Sequence, residues 1–480
     1  PSLLIKATDR LTLHFDAYYY KSMRPIILFG FGAPPGGTTE TSTYAGNFKD
    51  LKLDPGNAYV NPDFNSKQQT WAVSGKAEYK LSDQWLSQTN FSVARNNNQT
   101  HYINMVANKK SATDTAIITR NILDMPFSQL YAQQFQQNFI GDFKIGNLRN
   151  RLLVGVDYLR TNVGSARRTL VYDKIYATAD EKQKMMNKAK VDSVAANVPF
   201  ALASRNLENS YGAYVSEVLN VTDKLLLMAS LRINRYVVVN GIQQTSYSPK
   251  LGISYSIIEN ALSVYANYNN GYSNPSGQDS LGNTLKPTYA NQWEGGVKFD
   301  AFHHRLTGTL SVYDIKVTNV PRAVGTYFVQ DNEQRSRGVD VDILANPVPG
   351  LNIAMGYGYN DIRYSKYYGA TQATIEGNRV SGAPYHAGNI WVNYGITSGS
   401  LKGFGLGAGG NGQSSSFTNN TNTITLDGYT VVGASVFYDA PKFRLTAKID
   451  NIANKKYYTY SSWLLPGPTR MLAFNVTYRF

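Results

Sequence analysis

The chain has 480 residues with 35 tyrosines, 20 phenylalanines, 40 glycines, no cysteine and a formal charge of +14. No run approaches the roughly 18 apolar residues that a membrane-spanning helix needs, and the best candidates, 25–31 and 225–231, are far too short. A mean hydropathy of −0.33 argues against an α-helical membrane protein and leaves open a transmembrane β-barrel, which hides its apolar half in alternation. The absence of cysteine fits an oxidising bacterial compartment without disulfides, among other settings. The positive charge points to anionic partners, but the basic residues are scattered and no zinc-finger spacing occurs, so nucleic acid is not an expected partner. Pro1 leads directly into the strand-like PSLLIK, without a Met start or signal peptide, and we expect the sequence to be part of a longer protein.

Taken in order, Leu11, Leu13, Phe15, Ala17 and Tyr19 alternate with Thr12, His14, Asp16, Tyr18 and Tyr20, the period of a strand with one apolar and one polar face. Segment 21–67, rich in Gly, Pro, Thr and Asn, has loop chemistry. Strands are expected at 70–81 and 85–100 around the tight turn Ser82-Asp83-Gln84, then a long connection over 102–126, then strands at 130–145 and 149–161 around Gly146 and Asn147. The connection 168–206 contains the one expected helix, 179–195, opened by Thr178 and Glu181 as a capping box and read as a surface helix in a loop. Strands follow at 210–219, 225–238, 246–255, 261–269, 290–299, 305–317, 336–345, 351–359, 387–396, 401–410 and 429–438. The closing pair repeats the alternation: Phe443, Leu445, Ala447 and Ile449 against Arg444, Thr446, Lys448 and Asp450, then Leu472, Phe474, Val476, Tyr478 and Phe480 against Ala473, Asn475, Thr477 and Arg479.

Connections alternate between short (ATDR, SDQ, IGN, TDK, IEN, FHH, NPVPG, SGS, APK) and mostly longer ones. Soluble all-β domains lack this two-sided asymmetry, whereas outer-membrane barrels have short periplasmic turns and long extracellular loops. The fold class is therefore all-β, a transmembrane antiparallel β-barrel, with 18 complete strands and the fragment 1–6 in this sequence. Segments 21–67, 102–126 and 168–206 become long extracellular loops, and the chain ends in the periplasm.

Six blocks in order then carry a specific resemblance: SPKLGISYSI from Ser248, LSVYANYNNGYSNPSG from Leu262, LKPTYANQWEGGVK from Leu285, RSRGVDVDI from Arg335, GNRVSGAPYH from Gly377, and DNIANKKYYTY with GPTRMLAFNVTYRF from Asp450. Together they resemble the TonB-dependent siderophore receptors, the ferrichrome-receptor-like branch in particular. The resemblance implies a barrel of the 22-strand type around an N-terminal plug, of which this sequence holds the fourth strand onward and lacks the plug and about three strands. It further implies an outer-membrane active transporter that imports a ferric siderophore with energy from the TonB complex. Iron is carried only as the chelate, with no cofactor, and the barrel-assembly machinery and lipopolysaccharide are further expected partners. TonB-dependent uptake of cobalamin, haem or a sugar remains open, as does a passive porin or adhesion barrel. An outer-membrane hydrolase has no candidate residue, since the five histidines are scattered without metal-ligand spacing, and the chain is not expected to be an enzyme.

Within the blocks, Trp293 is expected to point outward as an interfacial anchor and Glu294 into the lumen, with Ser336, Arg337 and Asp340 as polar residues of the lumen or strand ends. Bulky, partly aromatic anionic chelates suit a mouth of aromatic rings, and the candidates at strand–loop junctions are Tyr20, His101, Tyr102, Phe127, Phe328, Tyr460 and Trp463. Taken singly, each is more readily read as a girdle residue on the lipid face. Phe474, Val476, Tyr478 and Phe480 resemble the C-terminal signal read by the barrel-assembly machinery; their alternative role is that of a plain strand end.

Overall fold

The computed structural model describes residues 1–480 except 25, 32–45, 54–63, 109–114, 181–184, 202–203, 240, 369–374, 461–463 and 480. Nineteen wall strands form one antiparallel sheet in sequence order. They are β1 (Ser2–Lys6), β2 (Leu11–Arg24), β3 (Ser66–Lys80), β4 (Trp85–Asn108), β5 (Ile117–Ile145), β6 (Leu148–Tyr176), β7 (Ser204–Asn220), β8 (Leu225–Val238), β9 (Gln243–Ile258) and β10 (Leu262–Ser273). The series continues with β11 (Thr288–Ala301), β12 (Leu306–Val324), β13 (Tyr327–Ala345), β14 (Leu351–Lys366), β15 (His386–Gly395), β16 (Phe404–Gln413), β17 (Tyr429–Asp439), β18 (Phe443–Asp450) and β19 (Met471–Tyr478). Among the described residues no ladder joins β1 to β19, so the barrel wall is open along that seam.

Directly opposed residues in an antiparallel ladder share a face, so the register sorts the side chains without ambiguity. One row runs Glu217, Ala229, Leu251, Tyr268, Trp293, Asp314 and Arg337 across β7 to β13. Leu251 at 56% exposed and Trp293 at 64% mark this face as the outer one. Glu294, next to Trp293 in sequence, faces inward and accepts a hydrogen bond from the Tyr265 hydroxyl at 2.6 Å. Ser336 and Asp340 are inward as well. Arg337 is not: it lies on the outer face, where Asp314 accepts from its Nε at 3.0 Å and from Arg335 Nη2 at 2.5 Å. It lies mid-strand, on the far side of the apolar stretch Val339, Val341 and Ile343 from the Ala345 end of β13, and the ion pair with Asp314 offsets its charge there.

Turns at the short-connection end are tight. In FHH the residues Phe302, His303 and His304 all have left-handed φ of 54°, 58° and 65°, and the Asp300 carboxylate accepts from His304 Nδ1 at 2.6 Å.

Three strands run far beyond the roughly 10 residues that cross a bilayer: β4 has 24 residues, and β5 and β6 have 29 each. The expected loop 102–126 is therefore largely strand, and 21–24 and 26–31 are strand too; Ile26–Phe31 pairs in parallel with β4 from Tyr102 to Ala107. The reason is burial on both faces. Met105, Val106 and Ala107 are consecutive and all buried, so the period-two signal that betrays a half-lipid-facing strand is lost there.

These extensions carry a second core, a crown above the barrel. Phe48, Leu51, Phe64, Met105, Ile118, Leu170, Met186, Val191, Ile424 and Leu464 are all nearly inaccessible. Its helix α1 is Lys188–Ala196, capped by the Asn187 side chain accepting from Lys190 N at 3.2 Å. It starts later than the expected 179–195: residues 179–180 and 185–187 are not helical, Met186 is inserted into the core, and the Asn187 N–H is held by the Tyr172 hydroxyl at 2.9 Å. Glu181 of the expected capping box lies outside the described residues.

The crown links both ends of the open sheet. Gly46–Asn47, before the third wall strand, pairs in parallel with Ile424–Thr425 from the C-terminal side, Asn47 Nδ2 donates to Asp427 Oδ1 at 2.6 Å, and Phe48 meets Tyr458 edge-on at 4.9 Å. Removing Phe48, 3% exposed, with Phe48→Ala should destabilise this unit by about 3 kcal/mol. The expected outcome in limited proteolysis of the detergent-purified protein is faster cleavage within the crown, with the strands of the wall remaining protected.

Candidate functional site at the barrel mouth

The crown's polar interior starts from Arg120, 1% exposed, which donates from Nε and Nη2 to Asp173 at 2.7 and 2.6 Å and lies 5.1 Å over the Tyr172 ring. A guanidinium this deep needs both carboxylate oxygens, and cutting such a pair on one side strands a charge. Asp124 forms a second node. It accepts from Arg168 Nε at 2.9 Å and stands 3.3 Å from His101 Nε2. Arg168 also donates from Nη1 to the carbonyls of Ala195 and Val198 at 2.6 and 3.0 Å, closing the C-terminal end of α1 where the helix leaves acceptors unpaired, and stacks 4.1 Å from Phe200.

Of the seven expected mouth residues, the structure gathers some and separates others. Tyr20 faces inward at the top of the inner wall, opposite Thr70, and is 49% exposed. Below it is a polar recess of about 370 Å³ lined by His14, Asp16, Ser74, Lys76, Asn90 and Gln136. His101 has its imidazole 40% exposed, between Asp124 and the edge of Phe64 at 6.1 Å. Tyr102, next to it, is half-buried between Ile26 and Leu123, and Tyr460 is half-buried against the crown core. Phe127 follows a register shift in β5 and sits half-buried opposite Ala166. Phe328 is committed elsewhere: its ring covers Gly277, where a Cβ would come within 2.6 Å, and its N–H donates to Gln278 O at 2.9 Å. At φ 118° and under that ring, position 277 admits only glycine. Trp463 lies outside the described residues.

Residue-type reasoning passed over Arg379, inside the GNRVSGAPYH block. It is 3% exposed, stacks 3.3 Å over the Tyr385 ring and donates Nη2 to the Asn360 carbonyl at 3.3 Å. Burial pulls its guanidinium below the usual arginine range. Nearby, burial also lifts the Tyr364 phenol to about 12. The motif named the residue; only the packing shows that it is inside.

Lower in the lumen the inner face is a hydrogen-bonded lattice. Asp157 takes both guanidinium nitrogens of Arg232 at 2.6 and 2.9 Å, and Gln136 donates to the Tyr214 hydroxyl at 2.7 Å. On β16 the inward positions are glycines because rings lie across them: a Cβ at Gly405 would meet Phe437 at 2.1 Å and one at Gly409 would meet the Trp391 ring at 2.5 Å. Arg444 and Lys448 lie 4.6 and 5.2 Å from those two rings. Among the described residues no group of three or more His, Asp or Glu could hold a metal ion. The mouth and lumen thus offer aromatic faces, fixed cations and hydrogen-bond donors, which suits holding a bulky ligand non-covalently.

Comparison with known proteins accounts for the same architecture. The chain is 24% identical over 367 residues to the ferrioxamine B receptor of Salmonella typhimurium strain SL1344, covering 71% of this chain and 49% of that one. It is 27% identical over 242 residues to the ferrichrome outer membrane transporter/phage receptor of Escherichia coli K12, covering 48% and 31%. The chain thus spans about half the length, or less, of these curated relatives. Among solved structures, the ferric-catecholate import receptor Fiu of Escherichia coli K12 superposes with a TM-score of 0.77 at 14% identity, over 100% of this chain and 74% of that one. The sequence profile described as TonB dependent receptor-like, beta-barrel matches residues 9–452, and its members are receptors and transporters, not enzymes. The chain therefore belongs to the TonB-dependent receptor family of β-barrels of the bacterial outer membrane.

Proposed function

We propose that this chain is the barrel portion of an outer-membrane active transporter that imports a ferric siderophore, energised through TonB. The observation that carries the reading is the kinship of 71% of the chain with a ferrioxamine B receptor, joined to a mouth built from aromatic rings and cations. Iron is cargo in this reading, held by the chelator, and the protein supplies no ligand to it. The inward Glu294 and Asp340 and the cations Arg444 and Lys448 are the groups a plug would meet. Loops and plug would capture the chelate, and force from the inner membrane would displace part of the plug to open a path; no bond is made or broken.

Two further partners fit features of the outer surface. Above the apolar band, Lys316, Arg335, Arg337, Arg363 and Lys366 outnumber the carboxylates Asp314, Glu333 and Asp361 with which they pair, a surface suited to the phosphates of lipopolysaccharide. Phe474, Val476 and Tyr478 on the unpaired edge of β19 are 78%, 71% and 57% exposed and suit docking to the barrel-assembly machinery by edge pairing; Phe480 lies outside the described residues.

The deciding experiment is growth of a deletion strain, lacking redundant receptors, under iron limitation on a panel of ferric siderophores. Loss of growth on one or a few of them is expected; normal growth on every one defeats the proposal. At the mouth, Tyr20 is the candidate least engaged in packing, and Tyr20→Ala in the full-length receptor should weaken ferric-siderophore binding by about tenfold, on the order of one lost aromatic contact. Tyr20→Phe should retain most of the affinity, and equal affinity for all three proteins in a tryptophan-quenching titration removes Tyr20 from the site.

A further inference from the structure

Glu217 is out of place. Its strand β7 alternates Tyr211, Ala213, Val215, Glu217 and Leu219 on one face, and Glu217 stands directly opposite Leu152 on β6 and Ala229 on β8. Ala229 in turn opposes Leu251, 56% exposed, on the outer face. A carboxylate therefore sits among side chains that meet lipid. Among the described residues it has no ion pair, and its Oε1 is shut off from solvent without a hydrogen-bond partner. Asp124, Asp157, Asp173, Glu294 and Asp314, by contrast, each accept from a donor side chain. An ionisable group held in the hydrocarbon band against its cost is a site by default, and the partner it lacks must bring the donor.

The surroundings define that partner. Glu217 closes one end of an apolar groove of about 490 Å³ on the outer wall, with Leu219, Leu227, Leu251, Ile253 and Trp293 along its sides and Ala229 as part of its floor. The small side chain of Ala229 makes the depression, and the diagonal row from Glu217 to Trp293 carries it up the wall. Glu217 stands four residues from Val221 in the short turn after β7, so roughly 10 Å above that turn for a tilted strand. That places the carboxylate in the leaflet on the short-turn side, within reach of a headgroup and not at the outer, lipopolysaccharide-facing charged band around Arg335 and Arg337.

We infer that Glu217 and this groove form a site for a phospholipid with a primary ammonium headgroup, phosphatidylethanolamine in chemical class, its ammonium donating to the carboxylate and an acyl chain lying along Leu227, Leu251 and Ile253. Three arguments select this occupant. The carboxylate needs N–H donors, which ethanolamine supplies and choline does not. A glycerol-phosphate headgroup brings net negative charge and no cation to offset it. A second copy of the chain related by a twofold axis would bring another Glu217 to the same surface, which like charges oppose.

The test is competitive lipid retention by the full-length receptor. The protein, purified in detergent, is exposed to equimolar phosphatidylethanolamine, phosphatidylcholine and phosphatidylglycerol with identical acyl chains, and bound lipid is read by native mass spectrometry. Wild type should retain the ethanolamine lipid over the choline lipid by about tenfold, the scale of one charge-assisted hydrogen bond. Glu217→Gln, which keeps the side-chain volume and removes the charge, should reduce that preference to about twofold or less, and Leu251→Ala should lower retention of all three lipids together. Equal retention of the ethanolamine and choline lipids by wild type overturns the inference whether or not the variants fold. A preference for phosphatidylglycerol overturns it too, as does a preference undiminished in a folded Glu217→Gln protein. A lipid-free dimer broken by Glu217→Gln would assign the groove to a second copy instead.

Discussion

A bilayer core offers no water to backbone N–H and C=O groups, and each one left unpaired there costs several kcal/mol. Everything in the wall follows from that constraint. The strands must be antiparallel neighbours hydrogen-bonded on both sides, the side chains must split between lipid and lumen with period two, and the turns on one side can be as short as IGN or SDQ because nothing but a reversal is required there. Row by row, the ladder from Ala229 through Leu251 and Tyr268 to Trp293 shows the outer face remaining apolar while its height on the wall rises. Polar groups on the opposite face are free to pair with each other, as Arg232 does with Asp157 and Glu294 with Tyr265.

Above the membrane the same strands obey a different rule. Water returns, the lipid no longer claims one face, and β4, β5 and β6 continue as scaffolding for a compact core that is covered on both sides. Hydrophobic burial now does what lipid contact did lower down. The core draws its members from segments far apart in sequence, with Phe48 against Tyr458 and Gly46–Asn47 beside Ile424–Thr425. It therefore couples the two ends of a sheet whose edge strands are not paired with each other. The ion pairs inside it, Arg120 with Asp173 and Arg168 with Asp124, are fully engaged: each guanidinium reaches either both carboxylate oxygens or a carboxylate and two carbonyls at the C-terminal end of α1.

Against this background Arg379 and Glu217, neither of which has an ion-pair partner among the described residues, stand apart for opposite reasons. Arg379 is buried on the water side and is stabilised by a stacked tyrosine and a backbone carbonyl, a polarisable arrangement that tolerates a delocalised cation. Glu217 is localised, anionic and embedded in aliphatic wall, where no side chain offers such compensation.

The sequence by itself determined the wall: alternation from Leu11 to Tyr19 and from Leu472 to Tyr478, the short-turn asymmetry, and six ordered blocks were enough for fold class, strand sense and family. It also placed Trp293 outward and Glu294 inward, since a one-residue offset decides the face of every neighbour. It was silent wherever burial no longer has period two. Segments 102–108 and 117–126 read as loop because Met105, Val106 and Ala107 are all inside, and α1 read too long because helix propensity over 179–195 cannot register that Met186 is pulled into a core. The mouth was legible only as residue types: aromatic rings near strand ends. Which of them are spent on packing, as Phe328 is on Gly277, and which remain open, as Tyr20 does, was decided by tertiary contacts between segments distant in the chain, and those leave no local period in it.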